Sequence, residues 1–303
     1  MINEIKLKHF DTNDPPKHES TPYPLVDDEL PKLFPCGAFC GAVGSGKTSQ
    51  ACRLLGKYIQ LGAKDPVTKK PLMQRCILFS PSIDSNPVWN SIPPVNLTKA
   101  DMISGYSDDK LKEIWDEIKL EKRLHDKYKL EMELYDQTVD DQKGEKTDFD
   151  TLPLEIQQWL EGLDFKPPVP KCKFPQGVIY HMILDDCLGQ SCFKSQGKSL
   201  FTNFCLARRH AQTSIYICTQ SMKQVPRRLR QSISLWVLFK YAAANVLTTD
   251  FYPEISNLLT EQNFRSLYEH AVKGRHDFLV VDLSAPPDKI FRKGWTHYLN
   301  ISN

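Results

Sequence analysis

The stretch GAVGSGKTSQ at residues 41–50 places Gly41, Gly46, Lys47 and Thr48 at the fixed offsets G-x-x-x-x-G-K-[ST]. That spacing describes a phosphate-binding loop. Backbone N–H groups in such a loop wrap a phosphate, and glycine is needed where the chain takes positive φ or comes close to the ligand. The cradle predicted here is Gly41, Ala42, Val43, Gly44, Ser45, Gly46, Lys47, Thr48 and Ser49. Lys47 would reach the β- and γ-phosphates and Thr48 would hold Mg²⁺.

A second constellation follows in GVIYHMILDDCLGQ, residues 177–190. Its unbroken apolar run predicts a strand buried on both faces that delivers two carboxylates at its C-terminal end. Asp185 would join the Mg²⁺ shell and Asp186 would polarise the attacking water. A third segment, residues 207–240, has a strand SIYIC delivering Thr219 and Gln220. Gln220 would orient water or sense the γ-phosphate. The run MKQVPRRLR then sets Lys223, Arg227, Arg228 and Arg230 within nine positions, suited to gripping phosphates without reading bases. A GTPase reading fails on order: TKAD at residues 98–101 imitates the guanine-reading motif but precedes DCLG, whereas in GTPases it follows.

Several elements must position these residues. The apolar runs CGAFCG, RCILFS, GVIYHMIL, SIYICT, LWVLFK and DFLVVDL read as strands. Trp236 and Phe239, in the fifth run, read as core. KTSQACRLLGKYIQLG reads as a helix that starts in the phosphate loop and stops at Gly62. Short apolar runs alternating with helical stretches predict a largely parallel sheet with crossover helices. Residues 107–135 read as a helix capped by Ser107, with Leu111, Ile114, Trp115 and Ile118 on one stripe. Together with the acidic stretch after it, this helix is expected to form a charged insertion, about 105–165, projecting from the sheet. Residues 1–32 read as an extended, proline-bearing arm, and 33–303 as a single domain.

Composition narrows the classes further. The chain has 303 residues, 41% of them hydrophobic, enough for a sizeable core. Its 39 basic and 37 acidic residues leave a net charge of +2, so a nucleic-acid partner must be argued from a local patch. Nine cysteines, an odd number without zinc-ribbon spacing, read as reduced thiols. With no apolar run of 18 residues and a polar N-terminus, the expectation is a soluble protein in a reducing compartment.

The phosphate loop, ILDD, RRHAQTSIYICTQ and VPRRLRQS together resemble the FtsK/HerA superfamily of DNA-translocating ATPases. The likeness is greater to the genome-packaging ATPases of poxviruses, other large DNA viruses and virophages. The tail LYEHAVKGRHDFLVVDLSAPPDKIFRKGW is similar to the segment those enzymes carry after their core. The resemblance spans roughly residues 33–295, apart from the insertion. It implies an α/β P-loop NTPase fold of the additional-strand, RecA-like class, with the Gln220 strand between the phosphate-loop strand and the Asp185 strand. It also implies ATP and Mg²⁺ as cofactors and double-stranded DNA as partner. The assembly implied is a pentameric or hexameric ring, with capsid vertex proteins as further partners, in the host cytoplasm, the viral factory or the virion.

In such a ring one subunit inserts an arginine into its neighbour's site. Arg208 and Arg209 match the family's basic pair, with Arg230 in reserve. His210 beside them could touch a neighbour's phosphate or serve packing. The superfamily more often carries Asp-Glu where this chain has Asp185-Asp186, so the second acid is one methylene shorter. Two other readings stay open at this point: a cellular or plasmid-type helicase or translocase, and a nucleotide-gated scaffold without turnover.

Overall fold

The computed structural model describes residues 23–139, 149, 152–187, 189–194, 199–241 and 246–300. Most of the predicted N-terminal arm, and the middle of the acidic stretch after residue 139, therefore lie outside the described residues.

All six predicted strands form: β1 (Cys36–Cys40), β3 (Pro71–Ser80), β5 (Val178–Asp185), β6 (Thr213–Thr219), β7 (Leu235–Phe239) and β8 (Phe278–Asp282). Four shorter ones join them: β2 (Ala63–Lys64), β4 (Met102–Ser104), β9 (Phe291–Lys293) and β10 (His297–Tyr298). The order across the sheet is β10-β9-β8-β7-β1-β6-β5-β3-β2, with β4 beside β3. Strands β7, β1, β6, β5 and β3 run parallel, whereas β8, β9 and β10 extend the sheet antiparallel. β6 thus lies between the phosphate-loop strand and the acidic strand, the order that marks the additional-strand class of P-loop NTPases.

Period-two alternation explains why the central strands are apolar throughout: each strand serves two cores. Met182, Leu184, Ile215, Ile217, Trp236, Leu238, Leu279 and Val281 face one layer. Ile179, Ile183, Tyr216, Cys218, Val237, Phe239 and Val280 face the other. The helix from the phosphate loop, α1 (Lys47–Leu61), covers the second face through Ala51, Cys52, Leu54, Leu55 and Tyr58. Gly62, at φ 77°, closes it and donates to the Tyr58 carbonyl. All nine cysteines are buried as free thiols. No helix among the described residues is long and apolar enough to cross a membrane.

The opposite face carries α2 (Asp108–Val139), then α3 (Leu154–Gly162) beyond it, α4 (Leu200–Ala207) and α5 (Glu261–Ala271). The predicted stripe on α2 is real. Leu111 and Ile118 are fully buried, and the Trp115 ring meets Phe204 of α4 edge-on at 5.2 Å. The first half of α2 is therefore a layer of the core, in place of the projection expected. The second half, about four more turns, carries ion pairs such as Lys122 with Asp126.

Arg208 also belongs to the fold. It is only 7% exposed, and its guanidinium donates to the Phe34 carbonyl through Nε and to the Cys205 carbonyl through an Nη, both at 2.9 Å. These bonds tie the end of α4 to the entry of β1. Of the two arginines expected to reach a neighbouring site, Arg208 is thus buried and bonded within its own subunit.

One buried polar side chain gives the fold a pH signature. His181, on β5, lies between the rings of Tyr58 and Tyr216 and is fully buried. Gln74 donates its amide to the Tyr58 carbonyl, which leaves its oxygen to accept from His181 Nε2 at 3.0 Å. Burial pushes the imidazole pKa down from 6.5 to about 3. The unfolded chain therefore takes up a proton between those values that the folded one refuses, so stability is full above pH 6.5 and falls as pH drops toward 3. The slope is about 1.4 kcal/mol per pH unit within that window. Urea midpoints at pH 7.5, 5.5 and 4.5 should show a decline in the wild type that is shallower in His181→Gln. Equal declines would show that His181 does not carry the effect.

Candidate nucleotide site

The phosphate loop connects β1 to α1 at the C-terminal edge of the parallel strands. Gly46 adopts φ 100°, ψ 13°, a left-handed conformation that side chains disfavour, and it caps α1 without any side-chain hydrogen bond. The first-turn N–H groups of α1 consequently have no side-chain acceptor at the cap, an arrangement suited to an anion. Gly41 is required for a different reason: a Cβ there would lie 2.6 Å from Cβ of Phe239 and 2.9 Å from the Ser45 hydroxyl. The Ser45 hydroxyl itself is buried without a hydrogen-bond partner.

Lys47 donates to the carbonyls of Gly41 and Ala42, at 3.0 and 2.8 Å, so its ammonium sits against the loop. Burial lowers its pKa, opposed in part by the charges of nearby Asp185 and Asp186. The Thr48 hydroxyl donates to a carboxylate oxygen of Asp185 at 2.8 Å. Asp185 is 4% exposed, and burial raises its pKa against the bond from Thr48. Thr48 and Asp185 are hard oxygen donors of the kind that hold Mg²⁺ together with substrate phosphates. The uncapped cradle, the unpartnered Ser45 hydroxyl and this oxygen pair fit a Mg²⁺-bound nucleoside triphosphate. No group of three or more His, Cys, Asp or Glu side chains gathers as a metal cluster among the described residues.

Asp186 follows the end of β5 at φ 52°, a left-handed conformation that aspartate tolerates better than most residues. It is exposed, and one of its carboxylate oxygens accepts from Gln220 Nε2 at 3.2 Å. The two predicted water-handling residues, from adjacent strands β5 and β6, are therefore in direct contact.

The arginines and the basic run divide differently. Arg209, one residue beyond buried Arg208, is exposed with its guanidinium 5.7 Å from the Tyr23 ring centre. His210 is exposed as well. Arg227–Arg230 forms a one-turn helix after the Gln220 edge. Lys223 pairs with Asp250 at 3.2 Å and Arg230 approaches Glu254 at 3.6 Å. Arg227 and Arg228 are exposed.

Two contacts at the site come from residues with no predicted role. His276 Nδ1 lies 3.3 Å from the Ser45 carbonyl oxygen, and Trp295 Nε1 donates to Gln50 on the first turns of α1 at 3.1 Å. The available signal was the basic run KGRH directly before an apolar strand. It says that a polar loop precedes β8, but not which loop it meets.

No family model and no curated protein matches the chain. Among solved structures it is similar to the genome packaging NTPase B204 from Sulfolobus turreted icosahedral virus 2 in complex with AMP. That match has 10% identity and a TM-score of 0.42, covering 82% of this chain and 93% of that one. It is also similar to the cytoplasmic domain of the Thermomonospora curvata type VII secretion ATPase EccC, at 13% identity and a TM-score of 0.39, covering 83% of this chain and 24% of that one. A third similarity is to the pCW3 conjugation coupling protein TcpA, at 13% identity and a TM-score of 0.34, covering 82% of this chain and 57% of that one.

Proposed function

We propose that this chain is an ATP hydrolase that drives double-stranded DNA, packaging a viral genome into a preformed capsid as a ring of identical subunits. The observation that carries the hydrolase reading is the meeting of three strand ends at one edge. The phosphate loop follows β1, Asp185 ends β5 with Asp186 just beyond it, and Gln220 leaves the strand between them. The DNA and capsid parts rest on the resemblance in sequence and on the exposed Arg227 and Arg228 next to that edge.

The chemistry assigned to the site is attack of water on the γ-phosphorus. Loop amides and Lys47 bind the phosphates, and Thr48 and Asp185 would hold Mg²⁺, which supplies charge neutralisation on the phosphate oxygens. Asp186 accepts the proton of the attacking water while the bond from the γ-phosphorus to the ADP oxygen breaks. Gln220, bonded to Asp186, sets the direction of its carboxylate and with it the line of attack. Exposed Arg209 is the trans arginine of this reading. Exposed Arg227 and Arg228 grip the DNA backbone, with Lys223 and Arg230 beside them.

Phosphate release by the wild type should exceed that of Lys47→Ala and of Asp186→Asn by about 10²-fold or more, the lower range for loss of a positioned base. Equal, low release from all three proteins would instead point to a nucleotide-gated scaffold.

Replacing Arg227 and Arg228 with Ala should weaken DNA stimulation of hydrolysis alike for unrelated duplexes and flatten its salt dependence. Unaltered stimulation would remove these residues from the DNA path. Mixed rings of Arg209→Ala and Lys47→Ala subunits should regain part of the activity each lacks alone, because some interfaces then hold an intact pair. Arg208→Ala should lower the unfolding midpoint, which Arg209→Ala leaves in place. A mixture that assembles and stays inactive would exclude Arg209 from the neighbour's site.

A further inference from the structure

β8 runs antiparallel to β7 with Phe278 opposite Phe239, so the loop before β8 arrives at the edge where the phosphate loop begins. His276 in that loop faces the Ser45 carbonyl at 3.3 Å. A carbonyl only accepts, so this contact requires the proton on Nδ1. The peptide between Ser45 and Gly46 is planar and trans, so a carbonyl held from outside turns the Gly46 N–H toward the opposite side. A hydrogen bond at the oxygen also polarises the amide and strengthens its N–H as a donor.

Further contacts hold the same short segment. A Cβ on Gly46 would lie 3.6 Å from His276 Nδ1 and 3.8 Å from the Phe239 ring, so both side chains flank this residue. The Gly46 carbonyl accepts from the N–H of Gln50 at 2.9 Å. Gln50 in turn accepts at its side chain from Trp295, just after β9. The Trp295 ring packs on Phe278 and Phe39, with centroids 5.5 and 6.5 Å away. The segment from Ser45 to Gln50 is therefore gripped at both ends by residues of the C-terminal antiparallel extension.

We propose that this extension is a cis clamp on the nucleotide site, with His276 as a positioning residue that aims the Gly46 N–H at the bound phosphates. The clamp rests on the reading that the loop binds a nucleoside triphosphate. It gives the C-terminal strands a part in ligand binding, and by linkage a bound nucleotide must stabilise their contact with the loop to the same degree.

The test is the dissociation constant of the full-length protein for Mg²⁺ with a slowly hydrolysed ATP analogue, measured by calorimetry, with unfolding midpoints taken with and without that analogue. His276→Ala should weaken binding about threefold to tenfold, the range for one net hydrogen bond. It should also shrink the nucleotide-induced rise in midpoint, taken from the variant's own unliganded midpoint. His276→Asn, whose amide can still donate to the Ser45 carbonyl, should recover most of the affinity. Trp295→Phe, which keeps an aromatic ring but loses the bond to Gln50, should fall between wild type and His276→Ala. If Lys47→Ala abolishes binding but His276→Ala binds as the wild type does, the clamp is wrong and the nucleotide site stands. If His276→Asn is as weak as His276→Ala, donation to the loop is not the cause and the clamp is likewise overturned. Failure of the wild type to bind the analogue at all overturns the nucleotide reading and the clamp together.

Discussion

The hydrogen bond from Thr48 to Asp185 is the contact on which the site depends. A carboxylate at the end of a strand buried on both faces is tolerated only with partners, because burial penalises its ionised form. Its first partner comes from the helix that follows a strand that is not its neighbour. β1 and β5 are separated by β6, about two strand spacings or about 10 Å. The phosphate loop and the first residues of α1 arch over that gap to set Thr48 against Asp185. The end of β6 lies beneath the arch, and Gln220 emerges there beside Asp186. One strand order therefore brings the loop, the Thr48–Asp185 pair and the Asp186–Gln220 pair together.

The other flank of the loop is closed by reversing direction. A further parallel strand beyond β7 would start at the far edge of the sheet, and only its end would reach the nucleotide side. Because β8 is antiparallel, its start lies at that edge, and the residues before it meet Ser45 and Gly46 directly. Phe239 links the two halves. Its Cβ is what forbids a side chain at Gly41, its carbonyl accepts from Tyr268 of α5, and its ring packs on Phe278. The fixed glycine of the loop is in this sense set by the neighbouring strand.

What was legible in the sequence was what local pattern encodes. The six long strands are apolar because both faces are covered, and α1 is bounded by glycines whose φ values, 100° and 77°, suit no other residue well. β2, β4, β9 and β10 are two or three residues each, too short for alternation to register, and they exist through pairing with longer strands. The Leu111 to Ile118 stripe on α2 was visible, but whether it met the sheet or a partner depended on α4, whose Phe204 supplies the opposing surface. Arg208 and Arg209 are adjacent in a basic motif, and composition treats them alike. Only the packing of α4 against the entry of β1 sends one guanidinium inward to carbonyls and leaves the other outside.

The adjacent pair Asp185 and Asp186 shows how one step of backbone separates two chemistries. In a continuing strand they would point to opposite faces, each buried in a core. The left-handed conformation of Asp186 breaks that alternation at the sheet edge, so the second carboxylate turns into solvent while the first stays inside. Burial raises the pKa of Asp185 even with the Thr48 hydroxyl donating to it, so its ionised form has room for a further cationic partner. Asp186 keeps access to water and takes its orientation from Gln220. The missing methylene relative to an Asp-Glu pair is significant at this point. A shorter side chain on a bent backbone reaches less far from the edge, and the amide of Gln220 is the group placed to hold it in line.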